Sequence, residues 1–227
     1  MLNTQYRMHP DISCLPNKLF YGNELIDGVL PKERMIAKDF IFQKHLNFIN
    51  FNHEEEKNGK SYINHKEIDH VLKFVNSLIE SGVNPSQIGI ISAYGAQTHL
   101  ISENLRIYNL RVKVSTIDSF QGSQKDYIII CTTRNGTNIS FLNDKKRMNV
   151  AITRARCQVT VFGNADTLSQ SPSWRKLIQY TKENGSYYDR LPIKIEKMKQ
   201  KKIVISKNTD NSILDFVSEF KENENDA

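Results

Sequence analysis

Three short segments of this chain concentrate side chains that can handle a phosphate. The first is Gln5-Tyr6-Arg7-Met8-His9-Pro10, where an aromatic ring sits beside a guanidinium, so one stretch can stack on a flat base and reach a phosphate oxygen. Taken alone, the same pair is also an ordinary loop that packs and solvates. The second runs from Ser115 through Thr116, Ile117, Asp118, Ser119, Phe120, Gln121 and Gly122 to Asp126. Its hydroxyls offer donors to phosphate oxygens, and Gly122 permits a close backbone approach; by itself it also reads as a capped loop between two strands. The third, Asn143 to Arg156, carries Arg147 and Arg154 seven residues apart, which on a continuous helix puts them nearly on one face. Arg154 falls among small and apolar residues near the expected helix end, where a charge is costly unless it meets an anion. The alternative for this segment is a solvated basic helix face.

The elements that must position these segments alternate between helix and strand. Helices are predicted over Asp11–Tyr21 with Asp11 as cap, from Asn64 to Gly82, over Ala96–Arg106, Asp144–Ala155, and Ser173–Glu183 with Ser173 as cap. In the second of these, Asn64 and Glu67 form a capping-box pattern ahead of the stripe Ile68, Val71, Leu72, Val75, Leu78 and Ile79, and Gly82 ends it. Strands are predicted at Leu46–Phe51, Ile88–Ser92, Val112–Ile117, Tyr127–Thr133 and Val159–Phe162. Continuous apolar strands between helices call for an α/β fold, a parallel sheet covered on both faces, with ligands at the carboxyl ends of its strands.

The bulk numbers set bounds. The chain has 227 residues, a formal net charge of +6 and 39% hydrophobic residues, with a pI of about 9.1. That balance suits a polyanionic partner. No run approaches the roughly 20 apolar residues of a membrane helix, so no membrane association is expected. Cys14, Cys131 and Cys157 share no CxxC spacing, Cys131 and Cys157 lie in apolar runs, and the histidines show no zinc spacing, which gives the expectation of buried reduced thiols, no metal site and an intracellular setting. One sizeable domain and a tail are expected: a folded unit over residues 1–188 and a charged, mobile tail over 189–227. Within that tail, Arg190–Lys202 holds six basic residues against one acidic, and Asp210–Ala227 six acidic against one basic. The tail is either solvated or a docking segment, with Ile213, Leu214, Phe216, Val217 and Phe220 spaced for a short amphipathic helix.

Taken together, in this order and spacing, the three segments resemble motifs IV, V and VI of superfamily 1 helicases of the up-frameshift and senataxin type. QYRMHP, FQGSQKD and RMNVAITRAR carry the resemblance, and SYINHKE, NPSQIGIISAYGAQ and SFLND are similar to the up-frameshift branch. The likeness covers about residues 1–188. It implies a RecA-like fold: the second, C-terminal motor domain, without a phosphate loop of its own, with ATP and Mg2+ bound in a cleft against an N-terminal RecA-like domain.

Residue by residue, the resemblance implies that Tyr6 stacks on adenine, Arg7 contacts phosphate, Arg154 is an arginine finger on the γ-phosphate and Gly122 lies beside the same phosphates. Gln124 stands where the family commonly has a glutamate for the ribose, which puts nucleotide affinity and ribose preference in question. On the nucleic-acid side it implies a backbone contact for Thr116, with Ser92, Tyr94 and Gln97 as further single-strand contacts. The chain contains neither a GxxxxGK[ST] loop nor a DExx strand, so the magnesium ligands are expected on the first motor domain. The sequence is expected to be one motor half, inactive as an ATPase by itself. The implied whole is a cytoplasmic, alternatively nuclear, 5′–3′ RNA helicase of nonsense-mediated decay, with single-stranded RNA and decay factors as partners. The alternatives are a senataxin-like DNA or RNA–DNA helicase half and a non-catalytic RNA- or partner-binding module.

Overall fold

The computed structural model describes residues 3–137 and 139–193. In chain order its strands are β1 (Thr4–Gln5), β2 (Ile26–Asp27), β3 (Leu46–Asn50), β4 (Glu56–Asn58), β5 (Ser61–Ile63), β6 (Ile88–Ser92), β7 (Lys113–Thr116), β8 (Lys125–Cys131), β9 (Ala155–Gly163) and β10 (Tyr187–Tyr188). The helices are α1 (Pro10–Phe20), α2 (His65–Glu80), α3 (Gly95–Ile107), α4 (Lys145–Ile152), α5 (Ala165–Leu168) and α6 (Pro172–Glu183). Six strands form one sheet in the order β10-β3-β9-β8-β6-β7, with every neighbouring pair parallel. This is the parallel α/β class expected from the apolar strands.

Strand side chains alternate between two apolar layers, because successive residues of a strand point to opposite faces. Phe48, Ile128, Ile130, Val159 and Val161 join α1, α4 and α6 through Ile12, Leu15, Met148, Ile152, Trp174 and Leu177. Ile49, Ile90, Ile129 and Phe162 join α2 and α3 through Val71, Phe74, Val75, Leu78 and Ile101. Fully burying one such side chain contributes about 2 kcal/mol, so the two layers together fix the sheet. Cys131 and Cys157 are buried, free thiols. Trp174 donates its indole N–H to the Leu142 carbonyl at 2.8 Å, pinning the turn that leads into α4.

Local signals set several element ends as expected. The Asn64 side chain accepts from Glu67 N at 3.0 Å, and Gly82 adopts φ +87 where Val83 N reaches back to Leu78 O. Other ends differ. His9, rather than Asp11, caps α1, its Nδ1 accepting from Asp11 N at 3.1 Å. α6 begins at Pro172 behind Ser171 rather than at a Ser173 cap, because the proline ring presets the first helical residue. The reciprocal half of the capping box is absent: Glu67 is fully buried, and Asn64 N donates to Gln97 Oε1 instead.

α4 stops at Ile152, three residues before its expected end, and β9 starts at Ala155, well before Val159. The Thr153 hydroxyl bonds back to Asn149 O at 2.8 Å, and the Arg154 carbonyl accepts from Lys125 N at 3.1 Å. Pairing with β8 therefore takes the backbone out of the helix. The short pairs β1–β2 and β4–β5 and the edge strand β10 were not expected from the sequence. Of the charged tail, residues 194–227 lie outside the described residues. Among the described residues no helix is long and apolar enough to cross a membrane.

Candidate functional site

The structure brings Arg7, Gln124 and Arg154 together. Arg7 donates through Nε to Gln124 Oε1 at 2.7 Å and through Nη1 to the Thr153 carbonyl at 2.9 Å. Arg154 is the next residue after that carbonyl, in the turn between α4 and β9. Its Nε is buried and has no hydrogen-bond partner among the described residues. Burial first, and repulsion from Arg7 second, pull the Arg154 pKa below the ordinary arginine value, with only Tyr21 acting the other way. A buried donor without an acceptor costs about 1–3 kcal/mol, more when charged. Arg7 and Arg154 are near enough for their charges to repel, and an anion between them would relieve that repulsion.

The segment carrying Tyr6 and Arg7 is fastened on both sides. The Gln5 side chain accepts from Arg7 N at 2.9 Å and Met8 N at 2.8 Å, and donates to Asp27 Oδ1 at 2.6 Å. Arg34 donates to Arg7 O at 2.9 Å and Tyr6 O at 3.3 Å. His9 N reaches Arg156 O at 2.9 Å, tying the segment to β9. Tyr6 itself is 71% exposed, so its ring stands ready to meet something outside the chain. Gln5 lies in the first motif, but Arg34 belongs to no pattern read from the sequence. It acts through carbonyls that only the folded chain brings near.

Gly122 occupies the third position of a tight turn: Gln121 has φ −56 and ψ 137, Gly122 has φ +82, and Ser123 N bonds Phe120 O at 3.0 Å. Glycine is the residue that takes this φ without strain, and the space beside it is open. The turn leads straight to Gln124 and β8. These groups sit at the amino ends of β8 and β9, not at the carboxyl ends where a parallel sheet was expected to hold its ligand. The positive charge here comes from guanidinium groups, Arg7 anchored on the Thr153 carbonyl, rather than from helix N-termini.

Arg147 does not join Arg154. With α4 ended at Ile152, the seven-residue spacing no longer defines a face. Arg147 instead pairs with Asp118 at 3.2 Å and Asp144 at 3.5 Å and stacks on Phe141 at 3.9 Å. Thr116 ends β7, half-buried, donating to Ser119 Oγ at 3.0 Å and accepting from Ser119 N at 3.3 Å.

Ser92, Tyr94 and Gln97 are not presented to a strand. All three are buried, Ser92 and Gln97 completely. Gln97 donates to Glu67 Oε2 at 2.7 Å, and Ser92 Oγ lies 3.3 Å from Thr133 Oγ1. Tyr94 lies beneath Tyr62 and within reach of Arg134, which is held by Glu55. Burial raises the Glu67 carboxyl to about 8, against the pull of donors from Thr133 and Gln97. The expected single-strand contacts are thus turned inward: Gln97 bonds Glu67, Ser92 meets Thr133, which itself bonds Glu67, and Tyr94 meets Arg134.

Among the described residues one group has metal-ligand composition, His9, Asp11 and His45. The two rings stack at 3.4 Å with planes 7° apart, so their in-plane lone pairs run alongside each other instead of meeting at an ion. His9 Nδ1 is already the α1 cap and His45 Nδ1 faces Cys157 O at 2.7 Å. Both Nδ1 atoms are thus engaged within the chain.

Residues 1–166 match the family model AAA_12, described as an AAA domain. Among curated proteins, the chain is 38% identical over 198 residues to "Regulator of nonsense transcripts 1 homolog" of Arabidopsis thaliana, covering 81% of this chain and 16% of that protein. It is 35% identical over 201 residues to "ATP-dependent helicase upf1" of Schizosaccharomyces pombe, covering 81% and 22%. It is 34% identical over 187 residues to "5'-3' DNA helicase ZGRF1" of Mus musculus, covering 79% and 10%. The chain thus spans less than a quarter of the length of these relatives.

Proposed function

This chain belongs to the AAA-domain family that its residues 1–166 match, and from that premise we propose that it is the C-terminal motor half of an ATP-dependent, 5′–3′ helicase of the up-frameshift type. The observation that carries the reading is Arg154, whose buried Nε beside Arg7 has no partner among the described residues. In this reading a triphosphate supplies the missing acceptor. Arg154 neutralises charge on the γ-phosphate as its bond to the leaving group breaks, and Arg7 contacts a neighbouring phosphate. Tyr6 stacks on the base, and Gly122 gives the phosphates a close backbone approach. Gln124, bonded to Arg7 Nε, holds that guanidinium in place and leaves less of its amide for the ribose. The magnesium ligands, phosphate loop and catalytic base belong to an N-terminal RecA-like domain, and nucleotide-driven closure of the two halves moves a strand.

Single-stranded RNA is the proposed substrate, from the likeness to regulators of nonsense transcripts, with the Thr116–Ser119 corner facing its backbone. Decay factors and a cytoplasmic setting belong to the same proposal. DNA is the second reading, favoured by the likeness to a protein named as a DNA helicase; backbone contacts read no base sequence and do not separate the two.

The test is ATP turnover in the presence of single-stranded RNA or DNA. The chain alone is expected to stay at background, and the protein with both motor domains to turn over ATP. Arg154→Ala should remove on the order of 10³ of that rate. Turnover by the chain alone, or an Arg154→Ala motor as fast as its parent, would refute the proposal.

A further inference from the structure

Tyr6 lies on a two-residue parallel strand pair, and the pair's register has a consequence for the ring. Thr4 faces Ile26 and Gln5 faces Asp27, and Gly28 N donates to Gln5 O at 2.8 Å. The next residues in register are Tyr6 and Gly28. The Tyr6 ring lies over Gly28 so closely that a β-carbon there would strike Cε1 and stand 2.6 Å from Cδ1 and 2.9 Å from Cζ. Both distances are far inside van der Waals contact. Gly28 does not adopt the left-handed conformation that favours glycine; its backbone accepts alanine, and what excludes a side chain is the ring.

The ring is also the part free to yield. Tyr6 is 71% exposed, while the backbone on either side is held by Arg34, Gln5 and Asp27. A methyl group at position 28 would therefore turn the ring away about its own side-chain bonds and leave the strand pair in place.

We propose that Gly28 is a positioning residue for the nucleotide base: the bare backbone at Gly28 is the shelf that seats Tyr6 at the height and tilt for stacking. The inference rests on the reading of Tyr6 as a base-stacking residue. Gly28 touches no ligand. It sets the ring, and the ring meets the base. Phosphate recognition, which belongs to Arg7 and Arg154, is independent of it.

The experiment titrates the chain with ATP and, separately, with inorganic tripolyphosphate, taking affinities from the backbone amide resonances of Arg7 and Gly122 by NMR and following the Tyr6 ring resonances wherever the ring is present. Stacking on one aromatic is worth roughly 1–3 kcal/mol per base. Gly28→Ala is therefore expected to weaken ATP about tenfold and to leave tripolyphosphate unchanged. Tyr6→Ala should do the same, and the double variant should be no weaker than Tyr6→Ala, since Gly28 acts only through the ring. Arg154→Ala should weaken both ligands. If Tyr6→Ala weakens ATP and Gly28→Ala does not, the shelf is overturned and the nucleotide reading stands. If Gly28→Ala lowers the melting temperature sharply, the backbone and not the ring has yielded, and the shelf is again overturned. If ATP leaves the Tyr6 resonances unmoved in the parent chain, or neither Tyr6→Ala nor Arg154→Ala changes ATP affinity, the nucleotide reading fails and the shelf with it.

Discussion

At the carboxyl ends of β6 and β8, the Glu67 carboxyl receives Thr133 N at 3.0 Å, Gln97 Nε2 at 2.7 Å and Thr133 Oγ1 at 3.2 Å, while Asn64 N is taken by Gln97 Oε1. At the amino ends of β8 and β9, Arg154 Nε is equally enclosed and receives nothing from the described residues. Both places bury polar groups against the same sheet. The Glu67 carboxyl is met by three donors and ties α2 and α3 to the strands; Arg154 Nε is left one acceptor short. A carboxyl met on every side stabilises the fold, whereas a charged group short of an acceptor gains when an anion supplies one.

Removing the open arginine should show this contrast most strongly. Arg154→Ala in the two-domain protein is expected to cost on the order of 10³ in turnover while leaving the urea midpoint of the chain unchanged or raised, because a desolvated charge has gone. Glu67→Ala should do the reverse. It strands Thr133 N and the Gln97 amide in the interior, at about 3 kcal/mol, read as a lower urea midpoint with nucleotide affinity intact. If Glu67→Ala abolishes nucleotide binding without loss of stability, the division between the two clusters is wrong.

A smaller effect comes from protons. The folded state holds the Glu67 carboxyl near 8 against an ordinary 4.5. Between those values the unfolded chain has lost a proton that the folded chain keeps, so this group's stabilising share is full below about 4.5 and is lost as pH rises through about 8. Urea melts across that window should show the decline, and Glu67→Gln should flatten it. Smallest is Gln124→Glu, which puts a carboxylate where Arg7 now meets a neutral amide. A partly exposed pair of this kind is worth about 0.5–1 kcal/mol, so tripolyphosphate affinity should fall about threefold, read by the same NMR titration.

The sheet and most helices were legible because their signals are local. Ile88–Ser92 is an unbroken apolar run, Asn64 carries its own cap, and Gly82 marks a helix end. The meeting of Arg7 with Arg154 was also expected, though only through a resemblance; nothing in their spacing of 147 residues states it. What failed was non-local. Helix periodicity carried α4 on to Ala155 because the claim of β8 on the Arg154 carbonyl cannot be seen from within the segment. Ser92, Tyr94 and Gln97 were expected to meet a strand because their inward partners, Thr133, Arg134 and Glu67, come from other elements and Glu67 looked like a capping residue. Gly28 and Arg34 matched no pattern, since each acts on a neighbour reached through the fold.

The lone tryptophan offers a practical return. Trp174 is the single indole of the chain, and its bond to the Leu142 carbonyl places it directly under the turn that launches α4, the helix that delivers Arg154. Its emission is thus a built-in gauge, free of added dyes: a red shift would announce that the turn has lifted, and constancy during ligand addition would mean that the arginine is presented on an unmoving stage.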